Sequence, residues 1–347
     1  MFKTLNDISV VDKRVLVRCD FNVPLDEKGN ITDDFRIQKA LPTIKYLIEN
    51  KAKVILMSHL DPESTGVVDR KYTLDKVAEK LAEYLDFPIE KEDDCIGPDV
   101  ETESNKLAPG KVLLLENLRF HKEEIDNDMD FAKKLAFLGD IYVNEAFSVC
   151  HRVHASIVGV PKILQSCAGL LLAKEIEVLN KVVQNPEKPM VAIVGGTKVE
   201  TKAKFINSVS KVADFVLVSG LIAKEIKEKN IKFDFPEKIV TPVGELDALD
   251  INDWSIKLLQ DKIYLAKTIL WNGPFGKFED KKYEKGTLAI AEAIIESKAF
   301  SVVGGGETVE FLEKQGMIDK FSHVSTGGGA MLSYLAGDEM PGLKVLE

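Results

Sequence analysis

The sequence predicts an α/β protein of two domains, each a parallel sheet with helices on both faces. Three observations carry this. Short apolar runs such as Val54–Met57, Val112–Leu115, Val191–Val194 and Phe215–Val218 have no polar face, as strands buried on both sides require. They alternate with segments of helical period, the pattern of strand–helix–strand units. The chain has 347 residues, more than one ordinary domain uses, and Pro186 and Pro189 interrupt it near the middle.

In chain order, the stretch from Val15 to Asn22 reads as a strand running into a polar loop. A strand there would point Arg18, Asp20 and Asn22 the same way. A helix follows Asp33-Asp34, with Ile37, Leu41, Ile44, Leu47 and Ile48 at helical spacing. Val54–His59 is a second strand, Leu74–Leu85 an amphipathic helix, Val112–Asn117 a third strand and Asp140–Glu145 a fourth. The polar residues fall at the carboxyl ends of all four strands, the edge where open α/β sheets bind ligands. Ala168–Val183 is helical, with Leu172, Ile176, Leu179 and Val183 in one stripe. The second half repeats the scheme, with strands at Val191–Val194, Phe215–Val218, Lys238–Thr241, Thr268–Trp271 and Ser301–Val303 and helices such as Lys202–Lys211 and Leu288–Glu296.

Charge narrows the chemistry. The net charge of −10 disfavours non-specific nucleic-acid binding. No apolar run approaches a membrane span, and the opening MFKTLNDISV lacks the regions of a signal peptide. Cys19, Cys95, Cys150 and Cys167 show no CxxC spacing and read as reduced thiols of a cytoplasmic protein. All six arginines, Arg14, Arg18, Arg36, Arg70, Arg119 and Arg152, lie in the first 152 residues. Guanidinium grips carboxylate and phosphate at two points. Arg18, Arg36, His59, Arg119 and Arg152 at adjoining strand ends suit a small anion, although any one alone fits a surface ion pair or a structural histidine equally well.

The second half carries glycine instead. Gly195-Gly196 follows one strand and Gly220 another. Gly304-Gly305-Gly306 and Gly327-Gly328-Gly329 each lead into helical sequence. Backbone amides in such loops, with a helix start behind them, form nests for phosphate oxygens. In VAIVGGTKVETK (191–202) the expected helix places Lys198 and Lys202 on one face, although an ordinary strand-to-helix turn fits this stretch too. There is no Walker loop. Glu307 is placed to face a Mg²⁺ that neutralises phosphate. Arginines in one half and glycine loops, lysines and a carboxylate in the other point to phosphoryl transfer between a small acid and a nucleotide, with a hinge to bring the groups together.

The motifs VLVRCDFNVPLD, DDFRI, ILMSHL, LLLENLRFHKEE, YVNEAFSVCHRVHAS, VAIVGGTKVETK, ILWNGPFGKFE, VVGGGET and HVSTGGGAMLSYLAGDEMPGL, in that order, resemble the phosphoglycerate kinase family over nearly the whole chain. The resemblance implies two Rossmann-like parallel-sheet domains joined by a helix and hinge. These are a phosphoglycerate domain at 1–167, a connecting helix at 168–185, a nucleotide domain at 186–332 and a tail from about 333 to 347 returning to the first domain. It implies a monomeric, cytoplasmic, glycolytic kinase that moves a phosphoryl group from 1,3-bisphosphoglycerate to ADP, giving 3-phosphoglycerate and ATP, with Mg²⁺. By the same resemblance Asp20, Phe21, Asn22, Arg36, His59, Arg119 and Arg152 hold the phosphoglycerate, and Arg18 supports them. Arg36, Lys198, Lys202, Gly328 and Gly329 surround the transferring group. Gly195, Gly196, Lys202, Gly220, Asn272, Pro274, Glu279, Gly305, Gly306, Glu307 and Thr308 serve the nucleotide, with Glu307 toward the metal.

Three departures stand out. The family's HLGRP reads His59-Leu60-Asp61-Pro62, so an arginine is missing, and Arg70 is the expected partial replacement. Glu307 stands where the family has Asp, and the segment from Gly220 to Ile269 is short, which bears on the nucleotide pocket. Two rivals follow: a family member that binds without catalysing, and a nicotinamide-dependent dehydrogenase. The second is opposed by the lack of GxGxxG after the first strand.

Overall fold

The computed structural model describes residues 2–347 except 61–65, Lys198 and Thr201. The chain forms two compact units, Met1–Glu175 with Met340–Glu347, and Ile176–Glu339.

The first unit runs β1 (Arg14–Arg18), α1 (Phe35–Glu49), β2 (Lys53–Met57), α2 (Asp75–Leu85), β3 (Glu90–Lys91), α3 (Pro98–Lys106), β4 (Val112–Leu114), α4 (Lys122–Ile125), α5 (Met129–Phe137), β5 (Ile141–Asn144), β6 (Gln165–Ala168) and α6 (Leu170–Gln184), which continues into the second unit. Its sheet is parallel, in the order β3-β4-β2-β1-β5-β6. The predicted face of α1 is the one buried: Ile37, Leu41, Ile44 and Leu47 pack with Val15, Val17, Val54 and Leu56 in one core. Burying each such side chain stabilises the fold by about 1.5–3 kcal/mol.

The second unit runs β7 (Met190–Val194), α7 (Ala203–Ser210), β8 (Phe215–Val218), α8 (Gly220–Glu228), β9 (Ile239–Val240), α9 (Asp253–Ile263), β10 (Thr268–Asn272), α10 (Lys285–Ser297), β11 (Phe300–Gly304), α11 (Gly306–Lys314), β12 (His323–Val324) and α12 (Gly328–Leu335). Its parallel sheet has the order β12-β11-β10-β7-β8-β9. The chain ends in α13 (Pro341–Lys344), grouped with the first unit. There the Gly342 amide donates to the Cys150 carbonyl at 2.9 Å. A Cβ on Gly342 would lie 2.7 Å from Ile157 Cγ2, so the approach requires glycine.

Four expectations need correction. β1 ends at Arg18, so Asp20 and Asn22 are loop residues and strand alternation does not orient them. The Asn22 amide donates to Asp20 Oδ1 at 3.0 Å, a local turn that competes with the ladder. The helix expected from Ala168 starts at Leu170, because Gln165–Ala168 pairs with β5 as a sheet edge. In α6 the buried stripe ends on Val182 rather than Val183. The helix expected over Lys202–Lys211 spans only Ala203–Ser210.

Candidate active site

Strand register assembles the residues of the first unit. Arg18 of β1 pairs with Met57 of β2 and with Asn144 of β5, so the segments leaving these three strands lie side by side. Arg18 is buried; its Nε donates to Ser156 Oγ at 2.8 Å, and it also reaches the Cys19 carbonyl and lies 3.2 Å from His59 Nδ1. Ser156 is itself held by the buried Glu124 at 2.5 Å. Arg36, in the first turn of α1, pairs with Asp20 at 2.9 Å and donates to the Asn22 carbonyl. Ser148 donates to Asp20 as well.

The result is a concentration of guanidinium groups, answered in part by Asp20 and Glu124. Burial first, then Arg18, Arg119, Arg36 and His154, push His59 well below the ordinary imidazole range. Burial, then Arg18 and Arg152, lower Arg119 to about 10, against Glu124 and Asp20, so it stays cationic at neutral pH. His154 falls to about 3, again chiefly by burial and then by Arg18, Arg119 and Arg152. Arg18, Arg36 and Arg119 therefore share one field around the neutral His59 and His154, in which an anion would relieve mutual repulsion. Arg152 acts on Arg119 but its side chain is exposed. Phe21 is wholly buried in the core, and its amide donates to Ser58 Oγ; it offers backbone rather than a side chain.

Arg70 is exposed in the short turn Arg70–Tyr72, and its guanidinium makes no hydrogen bond or ion pair among the described residues. Its neighbour Lys71, with Asn22, Leu60 and Tyr72, lines a cavity of about 370 Å³. Nothing in the spacing singles out Lys71. Asp61 and Pro62 lie outside the described residues.

In the second unit β10 lies between β7 and β11, and Asn272 pairs with both Val194 and Gly304. The loops after these strands consequently meet. The Gly195 amide donates to the Asn272 carbonyl and the Gly196 amide to the Pro274 carbonyl, both at 2.8 Å. A Cβ on Gly195 would sit 2.1 Å from the Pro274 carbonyl oxygen, and one on Gly328 would sit 2.4 Å from Gly305 Cα. These glycines are required by backbone lying on backbone. Thr308 is buried and accepts from the Gly273 amide at 2.9 Å, so its hydroxyl fixes the loop after β10. Asn272 is buried, with its Nδ2 unpartnered among the described residues and close to Gly305 and Gly328.

Lys202 departs from expectation. It precedes α7, and its ammonium folds back onto the Gly195 carbonyl. Burial lowers its pKa, with Glu307 opposing. The helix starts late because Glu225 of α8 captures the Val199 amide at 2.6 Å, fixing a turn ahead of it. Lys202 thus stands just ahead of α7, and the face expected for it with Lys198 cannot be followed further because Lys198 lies outside the described residues.

A cavity of about 330 Å³ opens at the Gly196 turn. Its lining includes Gly196, Gly220, Pro274, Glu279 and Glu307, and one wall is the run Glu245–Ile251. That run lies within the shortened segment and supplies Leu246, Leu249 and Ile251 as apolar surface. Glu307 is exposed at the start of α11 and makes no ion pair among the described residues, so its oxygens fit a hard cation shared with a phosphate. Gly306 and Gly329 are exposed at the starts of α11 and α12, with open space where a Cβ would be. All four cysteines are free and buried. Cys95 lies with Asp94 and His121, their ligand atoms within 4.8 Å of one another, but His121 is already bonded to Asp94 and burial holds the thiol protonated.

Two parallel α/β units, one with a buried arginine–histidine field and one with glycine loops, a sequestered lysine and a carboxylate at a cavity, define a phosphotransferase of the two-domain kinase class. The sequence comparisons agree. A model of the family described as phosphoglycerate kinase matches residues 5–234 and 227–338. The phosphoglycerate kinase of Dictyoglomus turgidum is 44% identical over 389 aligned positions, covering 99% of this chain and 98% of the relative. That of Chlorobium limicola is 41% identical, covering 99% of each. The solved phosphoglycerate kinase of Pyrococcus horikoshii is 32% identical with a TM-score of 0.89, covering 100% of this chain and 98% of the other. That of Coxiella burnetii is 33% identical with a TM-score of 0.83, covering 100% and 99%. The chain belongs to the phosphoglycerate kinase family. The alignment to the Dictyoglomus relative is longer than this chain, so the relative carries residues that this chain lacks, and the family match divides at 227–234, inside the segment that reads as short.

Proposed function

We propose that the chain transfers a phosphoryl group from 1,3-bisphosphoglycerate to ADP, and in reverse from ATP to the carboxylate of 3-phosphoglycerate, as a monomeric glycolytic enzyme of the cytoplasm. The observation that carries this is the buried positive field of Arg18 and Arg119 beside the neutral His59, built on a different unit from the glycine-loop cavity. Among the described residues no helix is long and apolar enough to cross a membrane.

The first unit binds the acid. Arg36, Arg119, Arg152 and His59 hold its phosphate and carboxylate, with Asp20 and the Asn22 loop fixing Arg36 and Arg18 steadying His59. The depressed pKa keeps His59 neutral, so it acts as a hydrogen-bonding group rather than as a charge. The second unit binds the nucleotide. The base and ribose enter the cavity beside Gly220, Pro274 and Glu279, and the phosphates meet the amides after Gly195, Gly305 and Gly328. Asn272, whose Nδ2 has no described partner, donates to a phosphate oxygen.

Glu307 would hold Mg²⁺ together with the nucleotide phosphates, and the metal would neutralise charge on the bridging oxygens. In the transfer itself a β-phosphate oxygen of ADP bonds to the phosphorus as the bond from phosphorus to the acyl oxygen breaks, leaving a carboxylate. Lys202 leaves the Gly195 carbonyl for the transferring oxygens. Arg36, Lys198 and the amides of Gly328 and Gly329 spread the remaining charge. Closure about a hinge excludes water, which would otherwise hydrolyse the acyl phosphate.

The test is turnover of purified protein with ATP, Mg²⁺ and 3-phosphoglycerate, coupled to NADH oxidation. Turnover requiring all three is the expected result. ADP binding without turnover would leave a member of the family that binds and does not catalyse.

A further inference from the structure

We propose that Glu145 is a positioning residue of this enzyme: its carboxylate locks the first turn of the connecting helix α6 to the helix α1 that carries Arg36. This deepens the kinase reading above and rests on it. Glu145 follows β5 directly and is buried. Thr43, wholly buried on α1, donates to Glu145 Oε1, and the Leu171 amide donates to the same oxygen at 3.1 Å. The Leu172 amide donates to Oε2 at 3.4 Å, and the Leu170 amide to Thr43 Oγ1 at 2.9 Å.

The first three N–H groups of α6, which no helix can satisfy internally, are therefore all consumed by one carboxylate and one hydroxyl. The carboxylate also meets the positive end of the helix dipole. The fit is close: a Cβ on Gly169 would lie 1.9 Å from Glu145 Oε2, so any larger residue before the helix would displace the carboxylate. An ordinary cap uses the residue just before the helix. Here the cap comes from a different strand and bridges to the helix whose first turn holds the substrate arginine, while α6 runs on into the second unit. The contact fixes the start of α6 on the first unit.

The groups facing this carboxylate are Glu175 on α6, Cys19 beyond β1 and Cys167 on β6; Thr43 does not titrate. None is a cation, and burial pushes Glu145 up to about 7, so the lock loosens as pH falls through neutrality.

The experiment compares wild type, Glu145→Gln and Thr43→Val by amide hydrogen exchange at Leu171 and Leu172 and by kcat and KM. Exchange at least tenfold faster in Glu145→Gln is expected, with kcat down about tenfold and both KM values within twofold. The kcat ratio of wild type to Glu145→Gln should shrink from pH 8 to pH 6, and Thr43→Val should show a smaller loss that does not add to the first. Unchanged exchange overturns the proposal, as does a kcat within twofold of wild type, or a ratio that does not change with pH while melting temperature falls. A wild-type protein without turnover would count against the kinase reading alone, since exchange reads the lock independently.

Discussion

His154 and Glu307 make the clearest demands at the scale of single residues. His154 is held near 3 mainly by burial, below the ordinary value of an unfolded chain. The unfolded state therefore binds the extra proton first, and stability present above pH 6.5 is lost as pH falls toward 3. One such histidine contributes a slope of up to about 1.4 kcal/mol per pH unit. Urea midpoints measured from pH 7 to pH 4 should fall less steeply in His154→Gln than in wild type; parallel slopes would refute the assignment. Glu307 fits a metal as a single carboxylate, so Glu307→Gln should raise the Mg²⁺ needed for half-maximal rate roughly tenfold, the effect of about 1.4 kcal/mol. An unaltered Mg²⁺ titration would remove it from that role. The burial of Arg18 and Arg119 was not legible in the sequence: both read as strand-end arginines, and only packing shows that they have almost no contact with water.

Elements were more legible than their ends. The apolar runs of β2, β4, β7 and β8 announce themselves because strands buried on both faces cannot tolerate polar residues. β3 and β12, two residues each, are too short to show any period, and Gln165–Ala168 is hidden because its edge position lets it keep polar residues. The glycine loops were legible as loops, but the reason for each glycine was not. Gly195 is glycine because of the Pro274 carbonyl, a neighbour 79 positions away in the chain. Gly195→Ala should therefore cost about 1–3 kcal/mol of stability, as overpacking does, and weaken ADP binding by at least tenfold. Calorimetric melting and ADP titration measure both, and a variant as stable and as tight as wild type would contradict the packing. The late start of α7 was not legible either, because it depends on Glu225 reaching Val199 from another helix.

For the whole molecule, the division of labour between the two units is the claim at stake. Each ligand should protect its own unit: 3-phosphoglycerate should slow amide exchange in β1, β2 and β5, and MgADP in β7, β10 and β11. A ligand at one hundred times its Kd stabilises what it binds by about 2.7 kcal/mol, ample to detect. Protection of the first unit by MgADP alone would reverse the assignment. The short segment bears on selectivity at this scale, since Glu245–Ile251 forms one wall of the cavity, with Leu246, Leu249 and Ile251 among acidic residues. The most direct test of phosphoryl transfer through this architecture is Lys202→Ala, assayed for kcat alongside binding of 3-phosphoglycerate. The expected result is a kcat roughly a hundredfold to a thousandfold lower, the range seen when a charge-stabilising group is removed, with 3-phosphoglycerate affinity within twofold of wild type. A kcat within tenfold of wild type would contradict the role of the second unit in the transfer.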